Sequence, residues 1–365
     1  MDCGGTENML MHLFRATPRQ DIAMDFLVNC HGPVQGYFDE EILQAGARIL
    51  HIQSQGRLGP LRYVQTLVRL LRQGGPYDVV HSHLDWQGGL IALAARWAEV
   101  PRVIVHSHTT RVMGRGLRYQ VALVLQKALI RAFATDLWGC SEVACRHLFG
   151  PDRPWCVIPN GIPLDRYLDV SAEARQALRQ AWGCGPDSLV LGHAGSFSEN
   201  KNQLFLVELM QGLSSQGQEV HLVLAGDPST PYGAKVRTRV LELGLQDRVH
   251  FLGLRRDLPE ILSALDVFLL PSAFEGLGIV ALEAQAVGCP CMVSEGIPTE
   301  VDLGLGLVAR VSTASSDSWA RCVLERSSLL RPTREQVATA FQSKGFDIKT
   351  SSAEVAQQYR EGWQA

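Results

Sequence analysis

The 365-residue chain has no run of about 18 apolar residues, so nothing in it reads as a membrane-spanning helix. No charged-then-apolar leader is visible at its start, and a secretory signal is not expected. Charge of one sign is also lacking. Against 34 Lys/Arg stand 37 Asp/Glu, and a net charge of -3 with a pI near 6.4 gives no general nucleic-acid signal. The nine cysteines are odd in number and irregular in spacing, which argues against a disulfide framework and for a reducing cytoplasm. Cys289 and Cys291, flanking Pro290, read as buried residues entering a strand. His81 and His83 end one apolar run, and His106 and His108 another. No cysteine or carboxylate cluster completes a zinc set, so no metal is expected. No Gly-x-Gly-x-x-Gly follows a strand with a suitably placed acid, which makes a nicotinamide dehydrogenase a distant reading.

What is present is an alternation of apolar strand-like runs with longer amphipathic segments, the pattern of parallel α/β architecture. Strands are predicted at 24–28, 48–51, 79–82, 102–106, 137–139 and 155–159, with helices at 60–72 and 88–98. Asn160-Gly161-Ile162-Pro163 is a turn-rich break. Beyond it the pattern restarts, with strands predicted at 189–194, 220–225, 249–252, 267–270, 291–293 and 306–308 and an amphipathic helix at 346–363. Two domains fit this length better than one. The expected division is an N-terminal domain 1–165, a C-terminal domain 166–343 and a last segment 344–365 that packs back on the first.

Phe274-Glu275-Gly276-Leu277-Gly278, with Glu283 eight residues beyond Glu275, carries the most chemistry. An apolar strand that stops at Pro271 leads through a glycine-rich turn into a helix of good formers, 277–287. Unpaired amides at such a helix start attract anionic or electron-rich oxygens. The carboxylates are too far apart to share a proton, yet spaced to hold a sugar and a ribose together.

Several segments in order resemble the GT-B glycosyltransferases, and most closely family 4, the retaining group that includes capsular and exopolysaccharide transferases. They are Gly4-Gly5-Thr6-Glu7, Val105-His106-Ser107-His108-Thr109, Cys140-Ser141-Glu142 and Val157-Ile158-Pro159-Asn160-Gly161-Ile162. In the second half they are 192–202, Leu224-Ala225-Gly226-Asp227, 249–258 and 266–300. The resemblance implies two Rossmann-like doubly wound domains facing across a cleft, the first on the acceptor side and the second binding the nucleotide sugar. It implies that Glu275 approaches the donor sugar while amides of Gly276, Leu277 and Gly278 bond its hydroxyls. Glu283 takes both ribose hydroxyls, which suits an acceptor-only carboxylate. Lys201 and the Gly4-Gly5 turn face the diphosphate, whose charge grows as the glycosidic bond breaks. His108 sits beside the sugar, His106 is assigned to the opposite face as a structural residue, and the loop around Arg255 and Arg256 cradles the base.

Two departures from the family stand out. Its glycine-arginine pair reads Gly195-Ser196 here, and serine supplies neither charge nor reach to the donor phosphates; Arg255 and Arg256 are candidates to compensate. Relatives also begin with an apolar strand before the Gly-Gly turn, whereas Met1-Asp2-Cys3 alone precede Gly4. The central first strand is therefore expected to be missing, with in-frame codons for it upstream. The expected protein is a metal-independent retaining hexosyltransferase without cofactor. It moves a sugar from a UDP-sugar to a glycan or polyprenyl-linked acceptor, in the cytoplasm and peripherally on the inner face of the plasma membrane. Arg111, Arg115, Arg118, Lys127 and Arg131, interleaved with Leu117, Val121, Leu125 and Leu129, suit contact with anionic lipid or packing within the first domain. The rival is a catalytically impaired homologue that binds a nucleotide sugar and supports a partner transferase.

Overall fold

The computed structural model describes residues 4–18, 20–30, 36–110 and 116–361. They form two compact units. The first is built from residues 1–162 and 345–365, the second from residues 163–344.

The second unit is organised by one six-stranded parallel sheet. Its strands are β7 (Leu189–Ala194), β8 (Val220–Ala225), β9 (Val249–Gly253), β10 (Val267–Leu270), β11 (Cys291–Val293) and β12 (Val308–Arg310), in the order β12-β11-β10-β7-β8-β9. β7, β8 and β10 are buried along their whole length, as continuous aliphatic strands are when helices cover both faces of a parallel sheet. Leu191, Leu206, Met210, Leu222, Val267 and Trp319 lie in the resulting core. Cys289 and Cys291 are buried.

The first unit has β1 (Phe26–Cys30) paired with β2 (Ile49–Gln53), and a separate sheet β3-β4-β5-β6. Those four strands are Val79–Ser82, Arg102–Ser107, Asp136–Gly139 and Cys156–Val157, all parallel. Leu27 of β1 and Val80 of β3 nevertheless pack on one core with Ile52, Leu67, Val103 and Leu137. The position that β7 takes in the second sheet has no counterpart among the described residues. Met1, Asp2 and Cys3 lie outside them. β1 and β3 are only half-buried, unlike β4 and β5.

The last helix, Ile348–Glu361, belongs to the first unit and contributes Val355 to a core with Leu13, Ile104, Trp138 and Ile158. It is fastened at its start by Ile348 N–H donating to Ile162 O at 2.9 Å. Gly161 permits this, because a Cβ there would come 2.8 Å from Ile348 Cα. Among the described residues no helix is long and apolar enough to cross a membrane.

Candidate functional site

Within the second sheet the order reverses between β7 and β10, the first and fourth strands of that unit. In a doubly wound sheet the helices leave opposite faces at such a point, and a crevice opens at the carboxyl ends of the two strands. β7 delivers the loop containing Ser196 and Lys201, and β10 the turn containing Glu275. Their side chains meet. Lys201 Nζ donates to Glu275 Oε1 at 2.5 Å, with the side chains 19% and 14% exposed.

Backbone constraints hold the turn in place. Asn200 ties it down, its side-chain Nδ2 donating to Phe274 O at 3.0 Å and its backbone carbonyl accepting from Ala273 N–H at 2.8 Å. Glu275 N–H donates to Gly296 O at 3.3 Å. Gly278 adopts φ +89°, a left-handed conformation that glycine tolerates, and so turns the chain into the helix Ile279–Ala286. Gly276, Leu277 and Gly278 of this turn are buried.

Glu283 projects from that helix, and its Oε1 accepts from the Tyr167 hydroxyl at 2.6 Å. Burial pushes the Glu283 carboxyl up to about 7, against the opposing effects of the Tyr167 bond and the Arg166 charge. Ser196 is exposed at the end of β7, and its carbonyl accepts from Gln203 Nε2 at 2.9 Å. Arg255 is also exposed, and its guanidinium is engaged by Asp257, with Nε 2.7 Å from Oδ1. Arg256 O accepts from Arg166 Nη2 at 3.2 Å.

The remaining sequence candidates belong to the first unit. Gly4 precedes the helix Gly5–Ala16 in an extended conformation with no side-chain cap, and its carbonyl accepts from Asn8 N–H at 2.9 Å. His108 follows β4. Its backbone N–H donates to Asp85 Oδ1 at 2.6 Å, as does that of Thr109 at 3.1 Å. Asp85, at φ +48°, thus fixes the strand end that carries His108. Burial raises its carboxyl to about 6, although the two backbone bonds pull the other way.

One expectation requires correction. His106 does not lie on the face opposite His108, since residues two apart on a strand share a face. The rings stack with centroids 4.1 Å apart. His81 and His83 of the neighbouring strand complete the group. His83 Nδ1 lies 2.8 Å from His108 Nε2, and His81 Nε2 lies 3.1 Å from His106 Nδ1. Burial pushes His81 and His108 down to about 3, and His83 and His106 well below the ordinary histidine value, so all four rings are neutral. Two histidine pairs 25 positions apart in sequence therefore converge through strand register.

Sequence reasoning missed Asn200, Tyr167 and Asp85. Tyr167 lies 116 positions from Glu283, and no local pattern joins them. Asp85 had a usable signal, being an acid placed directly after a histidine-rich strand end.

The comparisons with known proteins agree with this architecture. Residues 4–161 match the model of a glycosyl transferase 4-like domain, and residues 174–303 that of glycosyl transferases group 1. EpsF of Bacillus subtilis, a protein named as a glycosyltransferase, is 37% identical over 96% of this chain and 91% of its own length. An Escherichia coli UDP-Gal:alpha-D-GlcNAc-diphosphoundecaprenol alpha-1,3-galactosyltransferase is 27% identical over 80% of this chain and 76% of its own. The fold matches that of Anabaena HepE, crystallised in complex with UDP-glucose, at a TM-score of 0.78. That likeness covers 98% of this chain and 96% of HepE at 24% identity. The chain belongs to the family 4 glycosyltransferases of GT-B fold.

The raised carboxyl of Glu283 has a measurable consequence for stability. Below pH 4.5 both folded and unfolded states hold its proton and there is no penalty. The penalty grows from pH 4.5 to about 7 and is complete above it, at about 3 kcal/mol. Glu283→Gln keeps an acceptor for Tyr167 and removes the charge. Its melting temperature should exceed that of the parent at pH 8, with the gain shrinking to nothing toward pH 4.5. A pH-independent difference would show that burial does not govern this carboxyl.

Proposed function

We propose that this glycosyltransferase moves a sugar, with retention of anomeric configuration, from a UDP-sugar to a glycan or polyprenyl-linked acceptor in surface-polysaccharide synthesis. The observation that carries the reading is the Lys201–Glu275 pair at the switch point of the second sheet, with Glu283 on the helix that follows. Lys201 supplies a cation for the diphosphate, Glu275 and the Gly276–Gly278 turn take the sugar hydroxyls, and Glu283 takes the ribose. In the first unit, the helix opening at Gly4-Gly5 offers amides suited to an anionic oxygen, and His108 is assigned to a substrate hydroxyl. The printed names of the E. coli relative and of the HepE complex support a UDP-sugar donor, and the former also a lipid-diphosphate acceptor.

Glu275 is held by Lys201, which makes it a poor nucleophile for a covalent intermediate. We therefore assign attack on the front face. The bond from C1 to the diphosphate oxygen breaks, the acceptor oxygen bonds C1 on the same side, and the acceptor proton passes to the departing phosphate. The electrostatic work falls to Lys201 and backbone amides rather than to a metal.

Ser196 motivates the rival reading of an impaired, nucleotide-sugar-binding homologue, because it brings no charge to the end of β7 and Arg255 is already engaged by Asp257. Turnover of UDP-sugars by the purified protein decides between the two.

The helix Leu117–Phe133 supports a peripheral membrane role. Gln126 and Ile130 are buried, while Leu117, Val121 and Val124 are 81%, 59% and 67% exposed. Lys127 and Arg131 are turned to His147 O and Asp152, and Arg118 is exposed. Arg111 and Arg115 lie outside the described residues.

Glu283→Ala should weaken UDP binding by about 1.5–3 kcal/mol through loss of charge-assisted bonds. Glu275→Ala should abolish transfer while keeping UDP affinity at or above the parent level. Equal losses of UDP affinity in the two variants would contradict this division of labour. NMR of the product should show the donor's anomeric configuration, and inversion would exclude the front-face route. Sedimentation with vesicles containing anionic lipid should fall when Leu117, Val121 and Val124 are changed together to Ser. Unchanged sedimentation would remove the membrane assignment.

A further inference from the structure

The four-imidazole group of the first unit exceeds what the proposed transfer reaction uses, since only His108 is assigned to substrate. β3 lies parallel to β4 with His81 opposite Ile104, a register that brings His81 and His83 alongside His106 and His108. One potential ligand atom from each of His81, His83 and His106 can be chosen so that all three lie within 4.8 Å of one another. The same three residues line a cavity of about 20 Å³ together with Met9, Asn160 and Ser351, which is room for about one water-sized occupant. His106 is 2% exposed, and its Nε2 has no hydrogen-bond partner among the described residues. His81 is fixed from behind, its Nδ1 lying 2.6 Å from the Tyr359 hydroxyl, which leaves Nε2 to face the group.

We propose that His81, His83 and His106 bind one divalent first-row transition ion of the zinc class, through one nitrogen each, with a metal-bound water as the fourth ligand. Three imidazoles without a carboxylate suit zinc, cobalt, nickel or copper, and not magnesium or calcium, which take oxygen ligands. Tetrahedral zinc with nitrogen ligands at about 2.0–2.1 Å sets its nitrogens roughly 3.3–3.4 Å apart. One nitrogen from each ring already lies within 4.8 Å of the other two, so modest ring rotations reach that spacing. The ion ties the ends of β3 and β4 together and, through Tyr359, to the helix Ile348–Glu361. It also fixes the ring of His83, the partner of His108. The site is thus a metal clip that braces the strand ends carrying His108.

The test uses tag-free, chelator-stripped full-length protein titrated with Zn²⁺ and Co²⁺. One equivalent of either ion should bind, Co²⁺ should give the intense visible bands of a four-coordinate ion, and Zn²⁺ should raise the melting temperature. His106→Gln and His83→Gln, checked for folding by circular dichroism, should each weaken binding at least tenfold. His250→Gln, which breaks a comparable His221–His250 contact of 3.1 Å in the second unit, should leave it unchanged. Absence of the cobalt bands in the wild-type protein overturns the proposal. So does Zn²⁺ binding by His106→Gln or His83→Gln as tight as wild type.

Discussion

Lys201 and Glu275 meet where two strands of the second sheet part, and the functional geometry of that unit depends on their attraction. Each is carried by a loop, and loops at the end of a sheet are free to move unless something ties them. Removing one partner of a fully buried ion pair costs about 3–5 kcal/mol, whereas an exposed pair is worth about 0–1 kcal/mol. This pair, with side chains 19% and 14% exposed, lies between those limits. It is strong enough to order the two loops and weak enough to be exchanged. Under the proposed function, a diphosphate competes for the ammonium and a sugar hydroxyl for the carboxylate. The pair thus keeps both groups aligned and mutually neutralised at the switch point of the sheet.

The two units handle polarity differently. In the second, an ammonium and a carboxylate meet at the carboxyl ends of the strands, and burial raises the Glu283 carboxyl to about 7. In the first, the corresponding strand ends carry four neutral imidazoles, and the carboxylate of Asp85 is spent on backbone N–H groups rather than on an ammonium. Asp85 is therefore a positioning residue, and its effect on His108 runs through the main chain.

Much of the fold was legible because parallel strands buried on both faces leave unbroken aliphatic runs. β3, β7, β8, β10 and β11 occupy the residues expected of them. The twelfth strand lies at Val308–Arg310, two residues beyond the expected 306–308, because Gly304 and Gly306 at positive φ first turn the chain. At an edge strand the apolar signal is weakest and turn chemistry sets the boundary. The Glu275 turn and its helix were readable from glycine spacing and local periodicity. The contact of Glu275 with Lys201 was not, since it spans 74 positions and is made by sheet order. The same applies to the histidines. Each pair was visible, but their meeting depends on the register of β3 on β4, and the side assigned to His106 was a misreading of strand alternation.

The most direct test is a double-mutant cycle on UDP affinity by calorimetry, using Lys201→Met, Glu275→Gln and the pair. If the ion pair holds Lys201 in reserve for the diphosphate, Lys201→Met weakens UDP binding and Glu275→Gln leaves it unchanged or tighter. In the Lys201→Met background, Glu275→Gln then has no such benefit. Glu275→Gln weakening UDP binding equally with and without Lys201 would contradict the exchange of partners on which this account rests.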